Sequence, residues 1–504
     1  MTDSEMLEVE RKYDVGEDDN LPVLESLPGV GRVGPPEEEA LDAVYFDTAG
    51  LALATRGITL RRRTGGHDDG WHLKLPVAVG ERQEFTVRLG KNPESVPGRL
   101  RRLVQVHTRD QDVIPVARLK TRRTTQRLLS SDGTALADFS DDRVESQTLL
   151  EPQAHAAWRE WEIELIEGPK RLLKGADELL AATGHHPSKL PSKLARGLGE
   201  QYPEGGKPAP RPEPQGPASA VLLSYLSQQV EALKYHDPGV RVNAPDAVHQ
   251  LRVAARRIRS ALATFGKLAD RDVTRSLRSE LQWLAGSVGE ARDNEVMRAR
   301  LLDLIGAEPP ELLLGPVARQ IEEHFEIAAH NARTKGLAAL KSARYFRLLD
   351  ALDMFLAEPP LTETAGKEAL PTVGRLVSKQ RKRLKKEVLA LDAGSDSPAT
   401  EAALHEVRKS AKRLRYAAEA AAPILGKRAT TVARAAEEIQ ESLGDHHDTV
   451  VTRELLRELA ANHRGKSAFT YGRLHALEQV AGEESRERFF RIWKSSPPKP
   501  LRSK

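Results

Sequence analysis

The sequence predicts a chain of two parts, an antiparallel β sheet or barrel followed by an all-helical part. Three observations lead to this fold class. Short segments of alternating apolar and polar residues fill the chain up to about residue 200, and a Pro- and Gly-rich stretch follows at 202–217. From about 218 to 494, apolar residues recur at i, i+3, i+4 and i+7. The 504 residues also exceed what one hydrophobic core usually organises.

Composition restricts the chemistry. There is no cysteine, which excludes disulfides, thiolate metal sites and cysteine nucleophiles, so a metal ion would bind to carboxylates or histidines. The chain has no long apolar run and starts with polar, acidic residues, so we expect a soluble, cytoplasmic protein that does not bind membranes. Lys and Arg number 77 against 73 acids, but residues 375–386 contain seven basic residues and no acid. Such clustering predicts a polyanionic partner, either nucleic acid or polyphosphate.

We predict a first domain at 1–201, a linker at 202–217, a helical domain at 218–494 and a basic tail at 495–504. In the first domain, period-two alternation is clear in "LEVERKYDV", "GITLRRRT", "GWHLKLPV" and "WREWEIELIEG". The polar face of these segments is unusual, because the first and last carry Glu and those between carry Arg and Lys. This separation of charge predicts a functional face.

Residues two apart on a strand point to the same side. Glu8, Glu10 and Lys12 therefore share one face of the first strand, as Glu160, Glu162 and Glu164 do on the last. Two inward acidic strands would repel each other unless a cation lay between them, and Mg²⁺ or Mn²⁺ suits carboxylate and phosphate oxygens. Inward arginines would bind a short phosphate chain. Alternating charges are equally typical of an exposed sheet face with ion pairs between strands.

Several motifs occur in a fixed order over residues 5–200: Glu-x-Glu-x-Lys, "YFDT", "LRRR", "LKLP" and Glu-x-Glu-x-Glu. This set resembles the CYTH family, the triphosphate tunnel metalloenzymes. The resemblance implies a closed, eight-stranded antiparallel β tunnel. It also implies hydrolysis of inorganic triphosphate, thiamine triphosphate or RNA 5′-triphosphates, or cyclisation of ATP.

The resemblance assigns roles to residues of this chain. It implies that the catalytic residues are Glu8, Glu10 and Lys12. It implies that the residues that bind substrate are Lys12, Arg61, Arg63, Lys74, Arg123 and Lys193. The implied metal ligands are Glu8, Glu10, Asp138, Glu162 and Glu164. Arg123 is preferred to Lys120 and Arg122 because of the "RTTQ" that it begins, although Gln126 stands where an aromatic residue is usual, and Lys189 competes with Lys193.

The helical part repeats itself. "VHQLRVAARRIRSAL" from Val248 matches "LHEVRKSAKRLRYAA" from Leu404, and "VGEARDNEVMRARL" matches "LGDHHDTVVTRELL". His249 and His405 lie 156 positions apart, and Gly289 and Gly444 lie 155 apart. Two motifs that recur in order at nearly one offset predict a duplicated helical bundle.

Each copy places a histidine and several cations on one helical face. A single basic stripe is usually a solvated surface, but the duplicated motifs resemble the CHAD domain, the conserved-histidine α-helical domain. This resemblance implies two four-helix halves around a basic groove that binds inorganic polyphosphate. The candidate polyphosphate-binding residues are His249, Arg252, Arg256, Arg259, Lys379, Lys382, Lys386, His405, Arg408, Lys412 and Arg415. The "DHHD" at 445–448 is a weaker candidate for a metal site.

The order of the two domains is similar to that of CYTH-CHAD proteins, which favours metal-dependent hydrolysis of inorganic triphosphate, with polyphosphate bound by the helical domain. A non-catalytic polyphosphate-binding or targeting protein is the alternative from another class. Thiamine triphosphatase and adenylate cyclase activities also stay open. Few aromatic residues accompany the basic motifs, so nucleic acid is a less expected partner without being ruled out. Polyphosphate granules are a candidate place of association in the cytoplasm.

Overall fold

We analysed a computed structural model of the chain. It describes residues 4–78, 80–90, 92–205, 208–391, 398–463 and 465–501. Contacts divide the chain into two compact units, residues 1–207 and 208–504. The division falls inside the segment 202–217 that the sequence predicts as a linker. Each unit is described by itself.

The first unit is built on one antiparallel sheet. Its described strands are β1 (Ser4–Val15), β2 (Arg32–Val33), β3 (Glu37–Asp47), β4 (Thr59–Thr64), β5 (Gly70–Ala78), β6 (Glu81–Val87), β7 (Ile114–Leu129), β8 (Ala135–Thr148) and β9 (His155–Leu165). The strand order is β2-β7-β3-β4-β5-β6-β1-β9-β8, and β8 also pairs with β7. This last pairing closes eight strands into a barrel and leaves β2 as a short addition to β7. The predicted eight-stranded tunnel is confirmed.

Register brings the two acidic strands together. β1 pairs with β9, so that Glu10 lies opposite Glu164 and Lys12 lies opposite Glu162. The first and last strands of the tunnel are thus neighbours, which the sequence order alone does not show. Among their alternate residues, which face away from the tunnel, Tyr13 and Trp161 belong to an apolar cluster. On these two strands the glutamates therefore line the tunnel, and the cluster lies outside it, where α2 covers it.

Three α-helices belong to the first unit: α1 (Gly98–Thr108), α2 (Arg171–Ala181) and α3 (Lys193–Leu198). Leu172 and Leu180 of α2 pack into the apolar cluster outside β1 and β9. Leu194 and Leu198 anchor α3 in a second cluster against β7 and β8. The hydroxyl of Ser192 caps α3 by accepting a hydrogen bond from the Ala195 amide at 3.1 Å. This anchoring fixes the first residue of α3 at the tunnel.

The second unit is helical. Its described helices are α4 (Ala218–Val242), α5 (Ala247–Thr264), α6 (Arg271–Ala307), α7 (Val317–Leu340), α8 (Ala343–Ala357), α9 (Ala369–Leu389), α10 (Pro398–Leu425), α11 (Lys427–Asn462) and α12 (Ser467–Ser495). In each half, four successive helices pack against their neighbours in sequence, α4 to α7 and α9 to α12. The predicted pair of four-helix halves is confirmed. The sequence did not predict α8, which connects the two halves.

Within the described ranges, we find no helix whose length and apolar character would let it cross a membrane.

Candidate functional sites

The tunnel encloses a cavity of about 570 Å³. All eight strands of the barrel contribute side chains to it, together with Ser192 and Lys193 at the start of α3. Its lining includes nine Asp or Glu residues, eight Lys or Arg residues and two histidines. Charges of both signs are therefore enclosed at close range in a space that suits a small, highly charged ligand.

We call Glu8, Glu10, Glu162 and Glu164 the carboxylate wall. Glu8 and Glu10 of β1 are buried, with 2% and 6% of their surface exposed. Lys12 forms ion pairs with both Glu10 and Glu162, and the Lys74 ammonium pairs with Glu8. The side chains that the sequence predicts as catalytic thus face the tunnel, and Lys12 contacts two of the acids.

The cations around the carboxylate wall leave part of it without a partner. Among the described residues, Glu8 Oε2 has no hydrogen-bond partner although it is buried. Burial, followed by the charge of Glu8, raises the pKa of Glu164 to about 7. Burial also raises the pKa of Glu10, with Lys12 opposing and Glu162 adding to the shift. An additional cation close to Glu10 and Glu164 would stabilise their charged forms and so oppose these shifts.

A second acidic group lies deeper, next to α3. Asp142, Glu160 and Glu162 offer oxygens within 4.8 Å of one another, the one such group of three in the described part of the chain. This buried triad can bind a metal ion, but the Lys193 ammonium lies 2.9, 2.7 and 2.8 Å from the three carboxylates. Although burial opposes it, the charge of Glu160 and then of Glu162 raises the pKa of Lys193 well above its usual range. A cation of the protein itself thus already contacts all three carboxylates of the triad.

The predicted phosphate-binding arginines lie on β4 and β7. Arg123 contacts Asp142 at 2.7 Å and Glu162 at 2.8 Å. Arg61 is half-buried and lies 3.4 Å from the Tyr45 hydroxyl, and within the described residues its Nε has no partner. Arg63 is buried and pairs with Asp68. The structure brings all three into the cavity.

The alternatives to Arg123 are placed differently. Lys120 and Arg122 are exposed on β7, where their side chains do not line the cavity. Lys189 precedes α3 and is exposed, whereas Lys193 is buried at the triad. Asp138 lines the cavity, opposite Glu164 in register, and Arg127 holds its carboxylate at 2.8 Å.

Sequence reasoning did not select several residues that line or flank the cavity. Asp142 belongs to the same alternating face of β8 as Asp138, so strand periodicity could have identified it. The Glu84 carboxylate of β6 lies 2.9 Å from His72 Nδ1 and 4.0 Å from the Lys74 ammonium. Asp68 lies in the β4–β5 loop, where no periodic pattern points to it.

The helical unit has a different cavity, of about 480 Å³, formed by α5, α6 and α10. Seven cations and a single acid, Glu406, are among its lining residues. The seven are Arg256, Arg259, Arg275, Arg278, Lys409, Lys412 and Arg413. Burial, followed by the charges of Arg408 and Arg256, lowers the pKa of Lys412 to about 7. We call this space the helical cavity. Its lining side chains carry more positive than negative charge.

The duplicated Gly and Asp have a structural role. Arg252 lies against Gly289, donates to its carbonyl at 3.0 Å and contacts the Asp293 carboxylate at 2.8 Å. In the second half, Arg408 lies against Gly444 in the same way. Unlike Arg252, Arg408 has no ion-pair partner within 4.0 Å among the described residues. At Gly289 the absence of a Cβ thus leaves room for the Arg252 guanidinium group, since a Cβ there would lie 3.1 Å from its carbon.

The other predicted polyphosphate-binding residues are more dispersed. Lys379, Lys382 and Lys386 are exposed on α9. Arg415 is engaged by Glu419 at 2.8 Å and by Glu437 at 2.7 Å.

The two motif histidines are half-buried. Burial is the first cause that lowers the pKa of both His249 and His405. His405 lies against the His447 ring, at 4.9 Å between centroids. His446 is bonded instead to the Gly482 carbonyl and to Glu401, both at 2.9 Å, so the adjacent histidines point apart.

Comparison with known proteins agrees with both folds. Residues 6–198 match the CYTH domain family and residues 224–457 match the CHAD domain family. An uncharacterised protein of Mycobacterium tuberculosis, strain H37Rv, is 41% identical over 498 residues, which cover 95% of this chain and 94% of that protein.

Two solved structures are also similar. "PptA from Streptomyces chartreusis" is 25% identical, with a TM-score of 0.47, over 55% of this chain and 100% of its own. The CHAD domain from the plant Ricinus communis is 24% identical, with a TM-score of 0.46, over 58% of this chain and 96% of its own. With the two domain matches and the mycobacterial relative, the chain belongs to the family of proteins in which a CYTH, or triphosphate tunnel, domain precedes a CHAD domain.

Proposed function

We propose that the tunnel hydrolyses inorganic triphosphate with the help of Mg²⁺ or Mn²⁺, and that the helical unit binds inorganic polyphosphate. The observation that carries the first part is the carboxylate wall, in which Glu8 keeps a buried oxygen without a partner among the described residues and burial raises the pKa of Glu164, in a closed tunnel that also contains arginines. A metal ion and a phosphate chain would complement these two sets of charges together. Either ligand alone would leave one set unmatched.

The residues present fit a divalent metal ion. Glu8 has a buried oxygen without a partner in the described residues, and the raised pKa values of Glu10 and Glu164 have burial as their first cause. We infer that these three acids would hold the ion, with Glu162 and Asp138 beside them. When bound, it would neutralise charge on phosphate oxygens and lower the pKa of a water molecule. The triad at Lys193 needs a metal less, because an ammonium already occupies it.

The chain's own residues would position the substrate. Arg61, Arg63 and Arg123 present planar guanidinium groups that bind phosphate oxygens, and Lys74 adds a point charge. Because they extend from three strands of a closed barrel, β4, β5 and β7, they would hold a phosphate chain in one fixed orientation. Glu10 would orient a water molecule towards the terminal phosphorus, as Lys12 fixes its carboxylate.

A panel of substrates and metals tests this proposal. Phosphate release would be measured from inorganic triphosphate, ATP and thiamine triphosphate, each with Mg²⁺, with Mn²⁺ and with EDTA. We expect the fastest release from inorganic triphosphate and none in EDTA. Release from no substrate would favour a tunnel that only binds anions. Cyclic AMP formed from ATP would indicate an adenylate cyclase instead.

Binding of polyphosphate by the second unit is supported by the helical cavity. Its cations repel each other at close range, and a chain of phosphates would relieve that repulsion at several of them at once. The cavity also lacks the stacked aromatic side chains that single-stranded nucleic acid commonly uses, since Tyr416 is its one aromatic lining residue in the described part. We propose, on the same basis, that the protein acts in the cytoplasm and associates with polyphosphate granules there.

A further inference from the structure

The loop between β4 and β5, residues 65–69, places an acid in the tunnel. The Asp68 carboxylate forms an ion pair with Arg63, one of the arginines that we propose as phosphate ligands. Its backbone carbonyl lies 2.9 Å from His72 Nε2. A carbonyl only accepts hydrogen bonds, so this nitrogen donates. Asp68 is thus held at two points, by its backbone and by its side chain.

Arg63 is a cation that needs an anion. Burial, followed by the charges of Arg61 and Arg123, lowers its pKa to about 9. Within the described residues, its Nε has no hydrogen-bond partner. Carboxylate and phosphate oxygens make the same bonds to a guanidinium group, so Asp68 and a phosphate group compete for Arg63.

Other acids at this end of the tunnel are engaged elsewhere. Glu39 contacts the His67 ring, and Asp138 is held by Arg127 at 2.8 and 2.9 Å. Neither of these partners belongs to the proposed phosphate ligands. Asp68 differs from both acids because its partner is a residue that the substrate itself would use.

We propose that Asp68 is a tethered competitor, which occupies Arg63 in the empty tunnel and swings away when a phosphate group of the substrate takes its place. The proposal rests on the proposed function, since it takes inorganic triphosphate as the ligand. Only the side chain has to move, because His72 anchors the backbone. A competitor of this kind lowers the apparent affinity by the fraction of molecules in which Arg63 is free. An anion that binds without contacting Arg63 does not compete with Asp68.

The test is the affinity for inorganic triphosphate, measured calorimetrically on the full chain in EDTA, where no turnover is expected. Asp68→Asn keeps the size of the side chain and removes its charge. We expect binding about tenfold tighter, the effect of one charge-assisted hydrogen bond to arginine. Asp69→Asn is the matched control, because this neighbour is exposed and does not line the cavity. The helical cavity contributes the same background in every variant.

Arg63→Ala provides the second comparison. In this background Asp68→Asn should gain nothing, because the group that the two anions compete for is absent. Unchanged or weaker binding by Asp68→Asn, or a gain that persists without Arg63, would overturn the proposal. A chain that binds triphosphate but does not hydrolyse it would contradict the proposed enzyme and leave this comparison intact. Absence of triphosphate binding in all variants would overturn this proposal, whereas the proposed enzyme would still be judged by phosphate release in the presence of Mg²⁺ or Mn²⁺.

Discussion

The tunnel and the helical cavity both collect cations, but they neutralise them differently. The tunnel lining has nine acids for eight Lys or Arg residues, whereas the helical cavity has one acid for seven. In the tunnel, Lys12, Lys74 and Lys193 all have carboxylate partners. A site with side chains of both charges can bind a metal ion together with phosphates, as a reaction on phosphate groups requires. A site with positively charged side chains suits the binding of a polyanion without a reaction.

The largest effect that would test this contrast is the loss of one wall carboxylate. Glu10→Gln should reduce phosphate release from inorganic triphosphate by at least about a hundredfold, since it removes a group that would act on the reacting centre. Polyphosphate binding by the helical unit should be unchanged. Both are measured on the same preparation, by phosphate release and by calorimetry.

Glu5→Gln is the control for this change. Glu5 lies on the same strand, but it is exposed and contacts Gln83 instead of the cavity. Full activity in Glu10→Gln, or an equal loss in Glu5→Gln, would show that the carboxylate wall does not take part in hydrolysis.

The second effect concerns Arg252 and Arg408, which do not line the helical cavity themselves but whose charges act on its Lys412. Arg252→Ala combined with Arg408→Ala should weaken polyphosphate binding by about a hundredfold, at about tenfold for each charge-assisted contact. The dependence of affinity on salt should become less steep, because fewer phosphates are neutralised. Arg408→Ala should account for the larger share, since Arg252 already has Asp293 as a partner.

Arg319→Ala with Arg491→Ala makes a matched control. Both arginines are exposed on helices and pair with a glutamate one turn away, outside the cavity. A similar loss of affinity in this pair would mean that binding depends on net charge and not on the positions of Arg252 and Arg408. Phosphate release in the tunnel should be the same in both double variants.

How far the sequence could predict these sites depends on the range of the interactions. Strand alternation is local, so it was sufficient to place Glu8 with Glu10 on one face of β1 and Glu162 with Glu164 on one face of β9, and the same rule extends to Asp142 on β8. Helical spacing likewise placed Arg256 and Arg259 together. These positions follow from backbone geometry, which neighbouring residues determine.

The contacts between elements were not predictable in this way. Asp68 reaches Arg63 from a loop without periodicity, and Arg278 of α6 enters the helical cavity only because α6 packs against α5. The connecting helix α8 has the same amphipathic character as its neighbours and no counterpart in the other half. Its place outside the repeat depends on tertiary packing.

A third effect is the pH dependence of polyphosphate binding. Burial, followed by Arg408 and Arg256, lowers the pKa of Lys412 to about 7 in the free protein, and a bound polyanion would raise it again. Below pH 7 the lysine is already charged, so pH should matter little. Above pH 7 binding requires proton uptake, and affinity should fall by up to about tenfold per pH unit.

Lys412→Arg separates this lysine from its neighbours. Arginine stays charged throughout this range, so the variant should bind with little dependence on pH between 7 and 9. His447 does not interfere, because burial and then Arg408 lower its pKa to about 4. Calorimetry in two buffers of different ionisation enthalpy would count the protons taken up. The same count in both proteins would exclude Lys412 as the source.

The smallest effect distinguishes the two halves of the helical unit. A Cβ at Gly444 would lie 3.5 Å from Arg408, an ordinary contact, so Gly444→Ala should stabilise the helix by up to about 1 kcal/mol. A Cβ at Gly289 would lie 3.1 Å from the Arg252 guanidinium carbon, which would have to move away from Asp293. The gain from Gly289→Ala should therefore be smaller or absent. Denaturant unfolding of the two variants measures the difference, and equal stabilisation would show that Arg252 rests on Gly289 without depending on it.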